Sequence, residues 1–344
     1  MFSLGKTMRA GVTVSILLLA ASTLGTGPAA GVVLRSAPAA SEHLGSACPG
    51  CPPPTTCDGC WRPPLTARWQ YQLQARPGVA DDTGGIDVDI CEPPADGTAC
   101  VTPEVFDIDL YVDQKVAGDG NFVVDTAAVD AIHAAGGHAI CYLDAGDAET
   151  YRIDYHRFVT FDRNCDGCLI GNPFSQVFPD EFFLNLNNDQ GQRDFILRVN
   201  RARVAKCAKA GFDGVEWDII DTYEDPHSGF HISYRTQLKF NSALANMAHA
   251  YGMSVAMKND PSQVKDLLPY FDYAIVEECF QYHFCSGSPA PGETAFVDAG
   301  KAVFEVEYRL THNTFCGEAA DLGINAIKKS RRFSLFAQPY RPCR

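Results

Sequence analysis

The sequence predicts a parallel (β/α)8 barrel of the TIM type, on three observations. Short apolar or alternating runs alternate with stretches of helical spacing around eight times over about 270 residues, close to the roughly 250 residues typical of such a barrel. Gly136, Gly211 and Gly252 stand just past helical stretches, where a helix C-terminus takes a residue tolerant of positive φ. Neither GxGxxG nor a phosphate-binding glycine loop is present, so the competing open doubly wound sheet lacks its nucleotide loop.

The barrel is not expected to start at residue 1. Lys6 and Arg9 precede an apolar run over 11–24 and then small residues, the layout of a secretory signal peptide over 1–30. The run is shorter than the about 20 residues that span a bilayer, although an uncleaved anchor is the alternative. Residues 31–66 are rich in Pro and Cys without an apolar period, which reads as a linker ending in a disulfide knot. The barrel is then assigned to 67–344. An exported chain meets an oxidising compartment, so its 14 cysteines are expected as disulfides. Cys48, Cys51, Cys57 and Cys60 have the CxxC form of zinc ligands, but the gap between the two halves is short for a zinc ribbon. Cys91 with Cys100, Cys165 with Cys168, and Cys279 with Cys285 are further local candidates.

The strand candidates, in order, are 68–73, 105–112, 138–146, 214–220, 254–260, 273–280, 302–308 and 333–339. The clearest helical stretches between them are 125–136, 192–211 and 234–252. Many of the strands begin apolar and end polar. In GVEWDII, side-chain alternation puts Glu216 and Asp218 on one face and Val215, Trp217 and Ile219 on the other. Asp107 and Asp109, Tyr142 and Asp144, Lys258 with Asn259 and Asp260, Glu277 and Glu278, and Glu305 and Glu307 end other runs. Each acid alone reads as a solvated strand end. Together, in a barrel, they converge on the C-terminal mouth where barrel enzymes keep their chemistry.

A basin of carboxylates with one Lys, amides and aromatics suits glycoside hydrolysis, in which two carboxyl groups flank the scissile bond. Crowding raises one carboxyl pKa and leaves the other low. HExxH and GxSxG are absent, which argues against zinc hydrolysis and a serine nucleophile; His133, His138 and His249 read as helix-end or core residues. DRNCDG at 162–167 copies half an EF-hand loop, but Pro173 stands where its bidentate Glu belongs, so an Asx-rich turn is expected. No metal and no cofactor is expected. Formal net charge is -14, and loss of Lys6 and Arg9 with the signal makes it -16. Such a surface repels nucleic acid and anionic membranes and favours cationic ligands.

The motifs WQYQL, DIDL, ICYLDAGDAETYR, GFDGVEWDIIDTY, VAMKNDPSQ, VEECFQYHFC and GKAVFEVEY resemble, in order and spacing, those of the endo-α-1,4-polygalactosaminidases, glycoside hydrolase family 114. The resemblance covers roughly 69–310 and leaves the cysteine knot outside. It implies a (β/α)8 barrel that cleaves α-1,4-linked galactosamine in a partly cationic polysaccharide; the signal-peptide layout makes that barrel a secreted one. The resemblance further implies Asp218 as nucleophile and Glu277 as acid/base. Trp69, Gln70, Asp109, Tyr142, Lys258, Asn259 and Asp260 match motif positions that would line the sugar site; Asp144, Glu216 and Glu307 join them from the strand-end pattern. Trp217, Ile219, Val276, Glu278 and Asp144 depart from the family's usual residues. Alternatives are a non-catalytic carbohydrate-binding barrel and a glycosidase for another α-linked hexose.

Overall fold

A computed structural model describes residues 48, 50–75, 83–94, 97, 99–118, 120–287 and 292–344; the signal peptide and residues 31–47 and 49 of the linker segment expected from the sequence lie outside them. The strands are β1 (Trp69–Gln72), β2 (Val105–Asp109), β3 (His138–Asp144), β4 (Asp147–Glu149), β5 (Ile170–Pro173), β6 (Glu181–Leu184), β7 (Gly214–Asp218), β8 (Ser254–Lys258), β9 (Tyr273–Glu277), β10 (Val303–Glu307), β11 (Asn325–Lys328) and β12 (Arg341–Pro342). Nine form one sheet in the order β1-β2-β3-β7-β8-β9-β10-β11-β12, and β4-β6-β5 form a second. Pairing from β1 through β11 is parallel, and β12 adds antiparallel to β11. The large sheet is curled: the Trp69 indole on β1 donates to the Asn325 carbonyl on β11, at 2.8 Å. The fold is therefore α/β, a curled and mainly parallel sheet with helices, as in TIM-type barrels.

Apolar residues at strand starts and on helix faces build the core. Val215 and Trp217 on β7 are fully buried, as are Val199 and Val204 of helix Gln192–Ala210 and Leu244 and Ala245 of helix Tyr234–Ala250. Asp125 caps helix Thr126–Ala134 through the Ala128 amide, and Ser233 caps Tyr234–Ala250 through that of Thr236. Gly136, Gly211 and Gly252 take φ of 83°, 92° and 76°, the left-handed helix ends their positions predict.

One expectation is corrected and one sheet is added. The eighth parallel strand is β11, not 333–339. In that segment the Phe336 and Ala337 carbonyls accept from the Lys329 ammonium, and Ala337 also accepts from the Gln70 side chain; side-chain donors have replaced a strand neighbour. The sheet β4-β6-β5 was not anticipated, because its strands are only three or four residues long. The predicted Asx-rich turn is present: Asp162 accepts the Leu169 and Ile170 amides at 2.7 and 2.9 Å.

Disulfides join Cys48–Cys51, Cys57–Cys60, Cys91–Cys100, Cys165–Cys168 and Cys279–Cys285, all local as expected, and also Cys141–Cys207 and Cys316–Cys343. The cysteine segment packs on the N-terminal end of the strands. Trp61 stacks on His138 with ring centroids 4.3 Å apart, and Arg62 pairs with Asp272 at 2.7 Å. His133 and His138 both contact Asp213, and His249 contacts Asp272; His133 and His249 stand near helix ends as expected, whereas His138 begins β3.

Candidate active site

Parallel register carries the strand C-termini to one rim. Asp109 pairs with Tyr142, Tyr142 with Glu216, and Asp144 with Asp218. The chain bends sharply there. Ile219, Asn259, Asp260 and Glu278, which directly follow β7, β8 and β9, have φ of 53°, 47°, 59° and 53°. A β-branched residue such as Ile219 rarely adopts that region, and strained backbone of this kind clusters at functional sites. Gly146 makes the bend possible, since a Cβ there would lie 1.8 Å from the Ile219 carbonyl oxygen.

The centre is the buried Lys258 ammonium. It lies 2.9 Å from Asp218 Oδ1, 3.1 Å from Glu277 Oε2 and 3.6 Å from Glu216 Oε1. The nearest carboxylate oxygens of Asp218 and Glu277 are thus at most about 6 Å apart, by the two distances to their shared nitrogen. Asp218 also accepts from the Tyr142 hydroxyl at 2.8 Å and from the Ile219 amide at 2.8 Å. Glu277 accepts from the Tyr308 hydroxyl, and its own amide donates to Asn259 Oδ1 at 2.9 Å.

Burial pushes the Asp218 carboxyl up, but the charge and hydrogen bond of Lys258, the Tyr142 hydroxyl and the Ile219 amide outweigh it and hold the group below the usual range. Burial pulls Lys258 down, and Asp218, Glu277 and Glu216 more than reverse it, so the ammonium stays charged. Glu216 lies beneath, pushed up to about 7 by burial against the pull of Lys258, and accepts from the Tyr71 hydroxyl at 3.1 Å. Burial and the neighbouring Glu216 push the Asp107 carboxyl well above its ordinary value.

Asp218 and Glu277 open into a cavity of about 800 Å³, lined also by Asp109, Tyr142, Asp144 and Asn259. Asp109 is gripped in two-pronged fashion by Arg152, at 2.7 and 2.6 Å. The other expected sugar residues sit elsewhere and do not line the cavity. Trp69 is buried between Tyr71 and Phe304, and the Gln70 side chain turns to Ala337. Asp260 is buried and accepts from Tyr223 and Asn241. Glu307 accepts the Phe280 and Gln281 amides at 3.0 and 2.9 Å, because Phe304 and Tyr308 take the inward phase of β10 and leave Glu305 and Glu307 facing out. Lys258 and Glu216 lie in the floor beneath the lining. Residues the sequence reading missed are Tyr71 and Tyr308, visible only with the correct phase, and Glu149, Arg152 and Glu181 of the second sheet and its loop, for which no periodic signal existed.

Two carboxylates held to one ammonium at the rim of a curled parallel sheet have the geometry of barrel glycosidases. The family comparison agrees: the model of Glycoside-hydrolase family GH114 matches residues 53–341. The chain belongs to that family and is a glycoside hydrolase. The match reaches beyond 69–310 at both ends and takes in Cys57 and Cys60.

Among solved structures, it is similar to Ega3 of Aspergillus fumigatus in complex with galactosamine, at 23% identity and a TM-score of 0.62, over 83% of this chain and 98% of that one. It is also similar to the glycoside hydrolase domain of PelA from Pseudomonas aeruginosa, at 11% identity and a TM-score of 0.50, over 79% and 97%. At these identities the likeness shows the fold. No curated protein matches the chain in sequence. Among the described residues no helix is long and apolar enough to cross a membrane.

Proposed function

We propose that the chain is an exported, endo-acting hydrolase of α-1,4-linked galactosamine polymers, built on a closed (β/α)8 barrel over 67–344, with Asp218 as nucleophile and Glu277 as acid/base. The observation that carries this reading is the pair of carboxylates on Lys258. Their separation of at most about 6 Å lies below the about 6.5–9.5 Å of inverting enzymes and suits retention.

Asp218, kept ionised by three donors, attacks the anomeric carbon while Glu277 protonates the departing glycosidic oxygen. Water, deprotonated by Glu277, then opens the Asp218–sugar ester and restores both carboxyl groups. The division of roles follows exposure: the Glu277 side chain is 31% exposed and that of Asp218 14%, so Glu277 is the one open to a leaving group and to water. Tyr142 and Tyr308 orient the two carboxylates. An acidic lining that includes Asp109, Asp144, Asp180, Glu181 and Asp221 complements a polymer bearing ammonium groups, and the likeness to a relative crystallised with galactosamine supports that sugar.

The test is incubation with deacetylated galactosaminogalactan and measurement of reducing ends. Wild type shortens the polymer, while Asp218→Asn and Glu277→Gln keep the fold and lose at least about a hundredfold in rate. Near-wild-type turnover in either variant removes that residue from the mechanism.

A further inference from the structure

We propose that Asp144, Asp147 and Glu181 form a site for a divalent cation of the Ca2+ class, where the second sheet meets the catalytic rim. One carboxylate oxygen from each lies within 4.8 Å of the other two. That spread fits one coordination sphere with metal–oxygen distances of about 2.3–2.6 Å. Three hard oxygen donors with no sulfur or imidazole favour Ca2+ over softer metals.

The independent observation is Asp147. It is fully buried, and neither of its side-chain oxygens finds a hydrogen-bond donor, an arrangement a buried carboxylate tolerates only when neutralised. Nearby cations are committed elsewhere: Arg152 to Asp109 and Glu149, and Arg203 to Asp154 and the Asp144 carbonyl. The strands are arranged to gather acids, since Glu149 and Glu181 are direct cross-strand partners. Burial, with mutual repulsion, pushes Asp144 up to about 7 and Glu181 to about 8, and Asp147 well above its ordinary value.

A sugar ammonium is the weaker occupant. Asp144 and Glu181 line the cavity but Asp147 does not, so a substrate amine reaches two of the three, whereas a bare ion seated among them reaches all. An ion there would also fasten the turn containing Gly146, which packs on Ile219 beside Asp218.

The experiment takes the purified chain, stripped with EDTA and dialysed, and adds CaCl2. One Ca2+ per chain is expected by calorimetric titration, with a Tm rise of roughly 5 °C at a hundredfold excess over Kd. Asp147→Asn is expected to lose both the heat and the Tm rise while melting in EDTA at or above the stripped wild type; Glu181→Gln serves if Asp147→Asn does not fold. The proposal is overturned by a wild type that does not respond to CaCl2, as carboxyls sharing protons alone would not. It is equally overturned by an equal response in the variant, or by protection from galactosamine oligomers without any from CaCl2.

Discussion

Lys258→Met removes the one ammonium that Asp218, Glu277 and Glu216 surround and keeps the length and apolar character of its stem. At 2.9 Å and an effective dielectric of about 20, a unit charge pair interacts by about 6 kcal/mol. At about 1.4 kcal/mol per tenfold change, this bounds the loss of Asp218 acidity at about four orders of magnitude. In wild type Asp218 lies below the usual carboxylate range, so it is ionised at pH 5 to 7, as the proposed nucleophile must be. In the variant it holds a proton there. The expected result is a fall in kcat/KM of at least about a hundredfold at pH 5.5, with the acidic limb of the pH–rate profile moved up by at least about two pH units. Stability supplies a second reading with a definite sign. Carboxyls whose folded pKa is raised bind more protons when folded, so their contribution is present at low pH and lost as pH rises; the Tm deficit of the variant is therefore larger at pH 8 than at pH 5. Reducing-end assays from pH 3 to 9 and thermal melts measure both. An unmoved acidic limb with activity within a few-fold of wild type would refute the electrostatic argument.

The remaining predictions concern the supports of that pair. Tyr308→Phe deletes the hydroxyl that Glu277 accepts from; a hydrogen bond to a charged group is worth about 1.5–3 kcal/mol, so kcat should drop by roughly ten- to a hundredfold with KM nearly unchanged. Gly146→Ala drives a Cβ into the Ile219 carbonyl, and overpacking of about 1–3 kcal/mol should lower Tm and, by displacing β7, lower kcat as well; a variant as stable and active as wild type would show that this contact yields freely. Joint replacement of Cys141 and Cys207 by Ala opens a link between residues 66 apart, for which chain entropy gives about 4 kcal/mol, and a Tm loss of roughly 10 °C is expected by calorimetry.

Much of this arrangement was legible in the sequence, and the failures have identifiable causes. GVEWDII declared both its strand and its inward acids because a period of two is unambiguous when the outward residues are Val and Trp. AVFEVEY has the same period but offers two apolar phases, and the acids misled: Phe304 and Tyr308 point inward, while Glu305 and Glu307 face out and Glu307 binds the Phe280 and Gln281 amides that follow β9. The eighth strand, Asn325–Lys328, is four residues long and gave a weaker apolar signal than 333–339, which is irregular because side chains take its carbonyls. Trp69 looked like a sugar platform by motif, yet its indole fastens β1 to β11. The local disulfides followed from spacing, whereas Cys141–Cys207 depends on a helix returning over β3, which only the folded chain defines.

The placement of Asp218 and Glu277 across one glycosidic bond is tested most directly by the configuration of the first product. Proton NMR of a galactosamine oligomer at early times of hydrolysis, before mutarotation, should show the α-anomer at the new reducing end. A β-anomer appearing first would contradict a nucleophile and an acid held on the same lysine.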